Sequence, residues 1–157
     1  MKNEKLIRDS PEIVITMQKL IVALLVLTSF QSLAQQNKPD SLPGWLKGKF
    51  IDDYGINYQV TDSTFVMSGS AKYHILKWDE KGEFLLTQND SLNKAQQNLY
   101  TRIDYVKFSG MEPFKWGYCF TVYDAQNAEA ALKAASADRS NPKKGCNGYP
   151  FSRMKRQ

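Results

Sequence analysis

Residues 71–88 read Ala71-Lys-Tyr-His-Ile-Leu-Lys-Trp78, Asp79-Glu-Lys-Gly82, Glu83-Phe-Leu-Leu-Thr-Gln88. Two β-prone runs flank a short polar loop containing glycine, the sequence form of an antiparallel hairpin. Strict alternation places Tyr73, Ile75 and Lys77 on one face of the first run, and His74, Leu76 and Trp78 on the other. Toward the N-terminus the same grammar repeats. Leu46–Asp52, Asn57–Thr61 and Thr64–Met67 are short runs rich in β-branched and aromatic residues, joined at Asp53-Tyr-Gly55, Asp62-Ser63 and Ser68-Gly-Ser70.

Toward the C-terminus, the polar stretch Asn89–Asn98 leads into Tyr100–Phe108 and then Trp116-Gly-Tyr-Cys-Phe-Thr-Val-Tyr123, the most β-prone run of the chain. Trp116, Tyr118, Phe120 and Val122 share one face of it; Gly117, Cys119, Thr121 and Tyr123 share the other. Ala128, Ala131, Leu132 and Ala135 then recur at helical spacing, with Asp124 at the expected N-cap and Glu129 in the early turns. A last extended segment spans Tyr149–Met154, and Pro150 predicts a sheet edge for it. The fold class is mainly β: an antiparallel meander of seven or eight strands with one short helix near the C-terminus. Tight connections make sequential strands neighbours, and so long a meander must close as a small barrel or fold into a two-layer sandwich.

Ahead of this domain, Met17-Gln-Lys19, the uncharged run Leu20–Leu27 and the small-residue end Ser32-Leu-Ala34 carry the three parts of a signal peptide. Residues 17–34 are read as that leader. Residues 1–16 either precede a true start at Met17 or extend its n-region, 35–43 form a linker, and 44–157 a single β domain. The apolar run is too short for a membrane anchor, so no integral membrane segment is expected once the leader is removed. The product is expected to be periplasmic or extracellular.

The chain has 157 residues and a net charge of +5, of which part belongs to the leader and much of the rest to the basic C-terminal residues, read as a solvated terminus rather than a nucleic-acid surface. Its two cysteines, Cys119 and Cys146, permit one intramolecular pairing, and an oxidising compartment favours it as a structural disulfide. Two thiols and the single histidine are too few for a zinc site, and neither cofactor nor metal is implied.

No catalytic motif emerges. His74 is a candidate ligand contact or general base, with a structural role as the plainer reading. Arg102 and Asp104 share a strand face; they are either a buried polar handle in a barrel mouth or, more plainly, an exposed surface pair. Trp78, Trp116 and Tyr118 are candidate aromatic contacts that also suit a core. The oxygen-rich Asn89-Asp-Ser91 with Asn93 matches a glycosylation sequon and only weakly a Ca²⁺ loop. The leading expectation is a non-enzymatic exported domain that binds a small apolar or aromatic ligand, or an envelope partner protein. The alternatives are an enzyme using His74 with Arg102 or Asp104, and a structural accessory protein.

Several segments together, Gln88-Asn-Asp90, Tyr100-Thr-Arg-Ile-Asp104, Tyr118-Cys119, Tyr123-Asp-Ala125 and Gly145-Cys-Asn-Gly-Tyr-Pro-Phe151, resemble an uncharacterised group of exported bacterial proteins, often predicted lipoproteins. The likeness covers residues 88–151. Phe120, Asn147 and the lack of a lipobox cysteine depart from the group's pattern. The resemblance implies an envelope location and supports the Cys119–Cys146 bridge, without supplying an activity. Trp45 near Gly48 at the start of the meander is also similar to lipocalins, which implies a ligand-holding barrel by analogy.

Overall fold

The computed structural model describes residues 41–157; the leader, the residues before it and most of the linker lie outside the described residues. Eight antiparallel strands form a closed barrel in sequence order: β1 (Gly48–Asp52), β2 (Asn57–Val60), β3 (Thr64–Met67), β4 (Ala71–Asp79), β5 (Phe84–Asn89), β6 (Tyr100–Lys107), β7 (Trp116–Ala125) and β8 (Ser152–Arg156). The choice between barrel and sandwich is therefore resolved by closure. β8 pairs with β7 through Tyr118↔Ser152 and with β1 through Phe50↔Arg156. Pro150 lies just before this strand, so the expected edge position is corrected. Both neighbours of β8 are occupied, and the residue that cannot donate stays outside the ladder.

The interior is packed with side chains. Phe50, Tyr58, Phe65, Ile103, Trp116 and Met154 are each almost wholly buried in one cluster. Aromatic rings meet edge to face along it, with centroids 5.3 Å apart for Phe50–Trp116 and 5.2 Å for Phe65–Tyr118, the geometry favoured by ring quadrupoles. Trp45 and Leu46 cover one end of the barrel, where Trp45 packs against Tyr105 and Trp116. Arg156 fastens this cover: its Nη2 donates to the carbonyls of Gly44 and Lys47, and its guanidinium lies 5.2 Å from the Phe50 ring. Gly48 makes room for it. A Cβ there would sit 2.5 Å from Arg156 Nη1, on a backbone with φ of 131°.

Among the described residues one helix, α1 (Ala128–Lys133), is present, between β7 and β8. Its N-cap is Asn127, whose side chain accepts the Ala130 amide, and not Asp124, because β7 runs on through Ala125. Only Ala131 of the helix is buried; Leu132 and Ala135, expected on the same face, are exposed. A helix this short buries one position against Phe84, Leu86 and Ala125, and the chain then leaves it. The following segment crosses the outer surface of β6 and β7, held by Ala137 and Phe151 packed on Val106 and Cys119.

Register shifts in β4 and β7 redirect side chains that strict alternation misplaces. Between Ile75 and Lys77 of β4 the register slips by one residue, leaving Leu76 exposed and turning Trp78 inward. The Trp78 indole consequently donates to the Tyr105 hydroxyl at 2.8 Å, while His74 stays outside. In β7 the pairing moves from Ile103↔Phe120 to Arg102↔Val122, and Val122 packs outside with the α1 cluster instead of joining Phe120. An inserted residue breaks the period of two on which face assignments rest.

Candidate functional site

Arg102 and Asp104 are buried, 5% and 0% exposed, which overturns the surface-pair reading. They are not in the mouth either. Ile103 and Tyr105 point into the barrel, so their neighbours on β6 point outward and are roofed by the segment after α1. Asp104 Oδ1 accepts from Arg102 Nη2 at 3.1 Å and Arg139 Nη2 at 2.8 Å. Asp104 Oδ2 accepts from the Ala137 amide and from the Thr121 hydroxyl.

The two arginines are saturated elsewhere. Arg102 Nη1 donates to the Leu132 and Ala134 carbonyls, and its guanidinium lies 4.2 Å from the Phe84 ring. Arg139 donates to the carbonyls of Tyr105, Gly82 and Glu83. A carboxylate with all its lone-pair directions engaged by two cations, an amide and a hydroxyl is a structural clip with no free valence for a substrate.

His74 stands apart. Its Nε2 lies 2.8 Å from Asp90 Oδ2, and Lys72 Nζ is 3.3 Å from the same oxygen. The Leu92 amide, followed by His74 and Lys72, holds the Asp90 carboxyl down at about 2. The Asp90 amide also donates to the Lys72 carbonyl, and the Asn93 side chain closes a reciprocal pair with the Lys72 backbone. These contacts pin the loop 90–99 onto β4. No hydrogen bond or ion pair among the described residues joins His74 to Arg102 or Asp104, so the constellation required by an enzyme built on those three is not assembled. The side-chain oxygens of Asn89, Asp90 and Asn93 are engaged by Thr101, by Leu92, His74 and Lys72, and by the Lys72 amide, and no group of three or more acidic, histidine or cysteine residues suited to a metal occurs among the described residues.

The Cys119–Cys146 pair is bridged, with Cα atoms 5.4 Å apart. Next to it Gly145 packs so tightly that a Cβ would clash with the Asp138 carbonyl, and Asn147-Gly148 turns with both φ positive. The Gly-Cys-x-Gly motif is thus a local solution for seating the thiol on β7.

Inside the barrel, Asp52 receives the Tyr54 and Ile56 amides and the Tyr58 hydroxyl, and Tyr58 in turn meets Tyr118 at 2.8 Å between hydroxyl oxygens. Burial pushes the Tyr118 phenol up to about 12, and burial followed by the neighbouring Tyr118 raises Tyr58 still further. Folding therefore favours the protonated phenols. Their contribution is constant below pH ~10, where the unfolded phenols are also protonated, and is lost as pH rises through the folded values. An alkaline titration followed by phenolate absorbance is expected to show a late tyrosine class that ionises only as the circular dichroism of the fold collapses. Full ionisation near pH 10 with the fold intact would contradict it.

The concave surface nearest the expected site lies where β7 outruns β8. Pairing between them ends at Tyr118↔Ser152, yet β7 continues to Ala125. Beyond that point Asn147 Nδ2 reaches the Phe120 and Thr121 carbonyls. Two adjoining hollows share Phe120 and Tyr123. One, of about 190 Å³, lies under the loop 90–99 beside Tyr73; the other, of about 400 Å³, extends past Tyr118 to Tyr149 and the disulfide. The Tyr73 phenol is raised by burial alone, with no hydrogen bond from another described residue contributing. Of the sequence candidates, Tyr118 borders this mouth, Trp78 and Trp116 fill the core, and His74, Arg102 and Asp104 hold loops. Sequence reading passed over Tyr73, Tyr123 and Tyr149, whose grouping depends on where β8 begins.

No protein-family model, curated protein or solved structure matches the chain. Among the described residues no helix is long and apolar enough to cross a membrane.

Proposed function

We propose that the protein is an exported, non-enzymatic binding domain that holds a small apolar or aromatic molecule at the side-opening mouth of the barrel. The observation that carries this reading is the early end of the β7–β8 ladder, which leaves Phe120 and Tyr123 as the shared wall of two hollows flanked by Tyr73, Tyr118 and Tyr149. Aromatic walls suit a planar or apolar ligand, and the uncommitted Tyr73 hydroxyl is a polar handle of the kind that orients one. The interior, packed by Phe50, Phe65 and Trp116, leaves the mouth as the place for it. Export is supported by the disulfide, which belongs to oxidising compartments, together with the leader sequence.

The test is binding of a neutral aromatic probe, N-phenyl-1-naphthylamine, to the full mature chain. Wild type is expected to take up one probe per chain, and Phe120→Ala and Tyr123→Ala to weaken it about three- to tenfold. Urea midpoints of the variants control for folding. Probe binding that neither substitution alters, in folded variants, would remove the mouth as the site and leave an envelope protein as the partner.

A further inference from the structure

A further concavity, sharing no lining residue with the mouth, lies between the β1–β2 turn, the β6–β7 connection and the approach to β8. Its volume is about 430 Å³, within the ~300–1,000 Å³ range of small-molecule sites. Phe108, Met111, Pro150 and Phe151 give it apolar walls. Phe151 is a rigid floor, 1% exposed, with its amide bonded to the Pro142 carbonyl. Pro142 and Pro150 carry no amide hydrogen, so these parts of the wall offer no backbone donor to hydrate.

The charges at the rim are unequal. Lys143 forms no ion pair among the described residues, and Arg153 and Asp53 share the remaining contacts. Asp53 is already committed: its two oxygens accept the Arg153 amide at 3.2 Å and Arg153 Nε at 2.8 Å. That pair, with the Phe114 ring 4.8 Å beneath the guanidinium, fixes the direction of Arg153 while its terminal Nη groups stay without a partner among the described residues. The groove therefore offers an apolar slot, one oriented guanidinium with free donors and one unpaired ammonium, against one neutralised carboxylate. Such a site complements a ligand with an anionic head and a single apolar tail.

We infer that this groove binds a small amphipathic carboxylate, with its tail along Phe108, Met111 and Phe151 and its head between Lys143 and Arg153. No residue lining this groove lines the mouth. Planar Nη donors match a carboxylate in two-point fashion, and Lys143 adds a point charge without fixed geometry.

Sodium decanoate, titrated into the full mature chain by calorimetry beside 1-decanol, tests the assignment. Decanoate is expected to bind more tightly than the uncharged alcohol, and Lys143→Glu to weaken decanoate about tenfold or more while leaving the alcohol little changed. Met111→Glu, which places a like charge in the slot, is expected to abolish decanoate binding, and Phe120→Ala to leave it unaltered. Equal affinities for decanoate and decanol, or decanoate binding insensitive to both groove substitutions in folded protein, would overturn the proposal. Sedimentation with phosphatidylglycerol vesicles distinguishes the source of the anion. Vesicle binding that depends on Lys143 without any binding of free decanoate would also overturn it, in favour of a membrane surface.

Discussion

Asp104→Ala is expected to lower the free energy of unfolding by about 3–5 kcal/mol, measured by urea denaturation of the oxidised protein. Two guanidiniums converge on this carboxylate at 0% exposure; removing it leaves the buried Arg102 without a counter-charge, while Arg139 keeps only the Glu83 carboxylate at 3.1 Å. The carbonyl partners of Arg102 and Arg139 remain, but dipoles offset only part of a buried charge. Asp104→Asn keeps the shape and one acceptor while losing the charge, so a smaller loss is expected. A loss of that size is a large share of the ~5–15 kcal/mol that a small domain possesses. An Asp104→Ala variant within about 1 kcal/mol of wild type would show that the clip contributes little beyond its packing.

Loss of the disulfide ranks second. The bridge closes a loop with a sequence separation of 27, for which chain entropy gives about 3.5 kcal/mol. The double variant Cys119→Ala, Cys146→Ala is therefore expected to unfold at a clearly lower urea concentration with a similar slope. Cys119 is 1% exposed, so reductant should reach it only through opening of the covering segment. The clip and the bridge restrain the same stretch of chain, since Asp104 holds Ala137 and Arg139, and Cys119 holds Cys146. Once one restraint is lost and the segment detaches, the other has less to protect. Combining Asp104→Ala with removal of the bridge should accordingly cost less than the two losses added together. Strict additivity would mean that the segment is not one cooperative unit.

Much of the barrel was legible because short strands with tight turns leave few alternatives. Asp53-Tyr-Gly55 and Asp79–Gly82 announce reversals in their composition, and a meander of neighbours follows from short connections. Side-chain direction was legible only between bulges. Trp78 and Val122 were assigned to the wrong faces because an extra residue at Leu76, and another at Thr121, changes parity without a reliable mark in composition. The helix start was misplaced for a related reason. Both Asp124 and Asn127 are competent caps, and continued pairing of β7 through Ala125 decides between them.

The candidate site was less legible than the fold. Arg102 and Asp104 were read as a pair sharing one face of β6, but their burial comes from residues 132–139, which a strand-by-strand reading divides between a short helix face and a polar loop. Local sequence, through alternation, turn chemistry and a pair of cysteines, determined the antiparallel meander and the covalent staple. Tertiary structure decided that the meander closes, that β8 starts too late to cover the upper part of β7, and that the outer segment turns an apparent surface pair into a buried clip. The physical reason is the range of the forces. Propensity and periodicity act over a few residues, whereas closure, desolvation and the sharing of Asp104 by distant donors depend on segments that meet only in the folded chain.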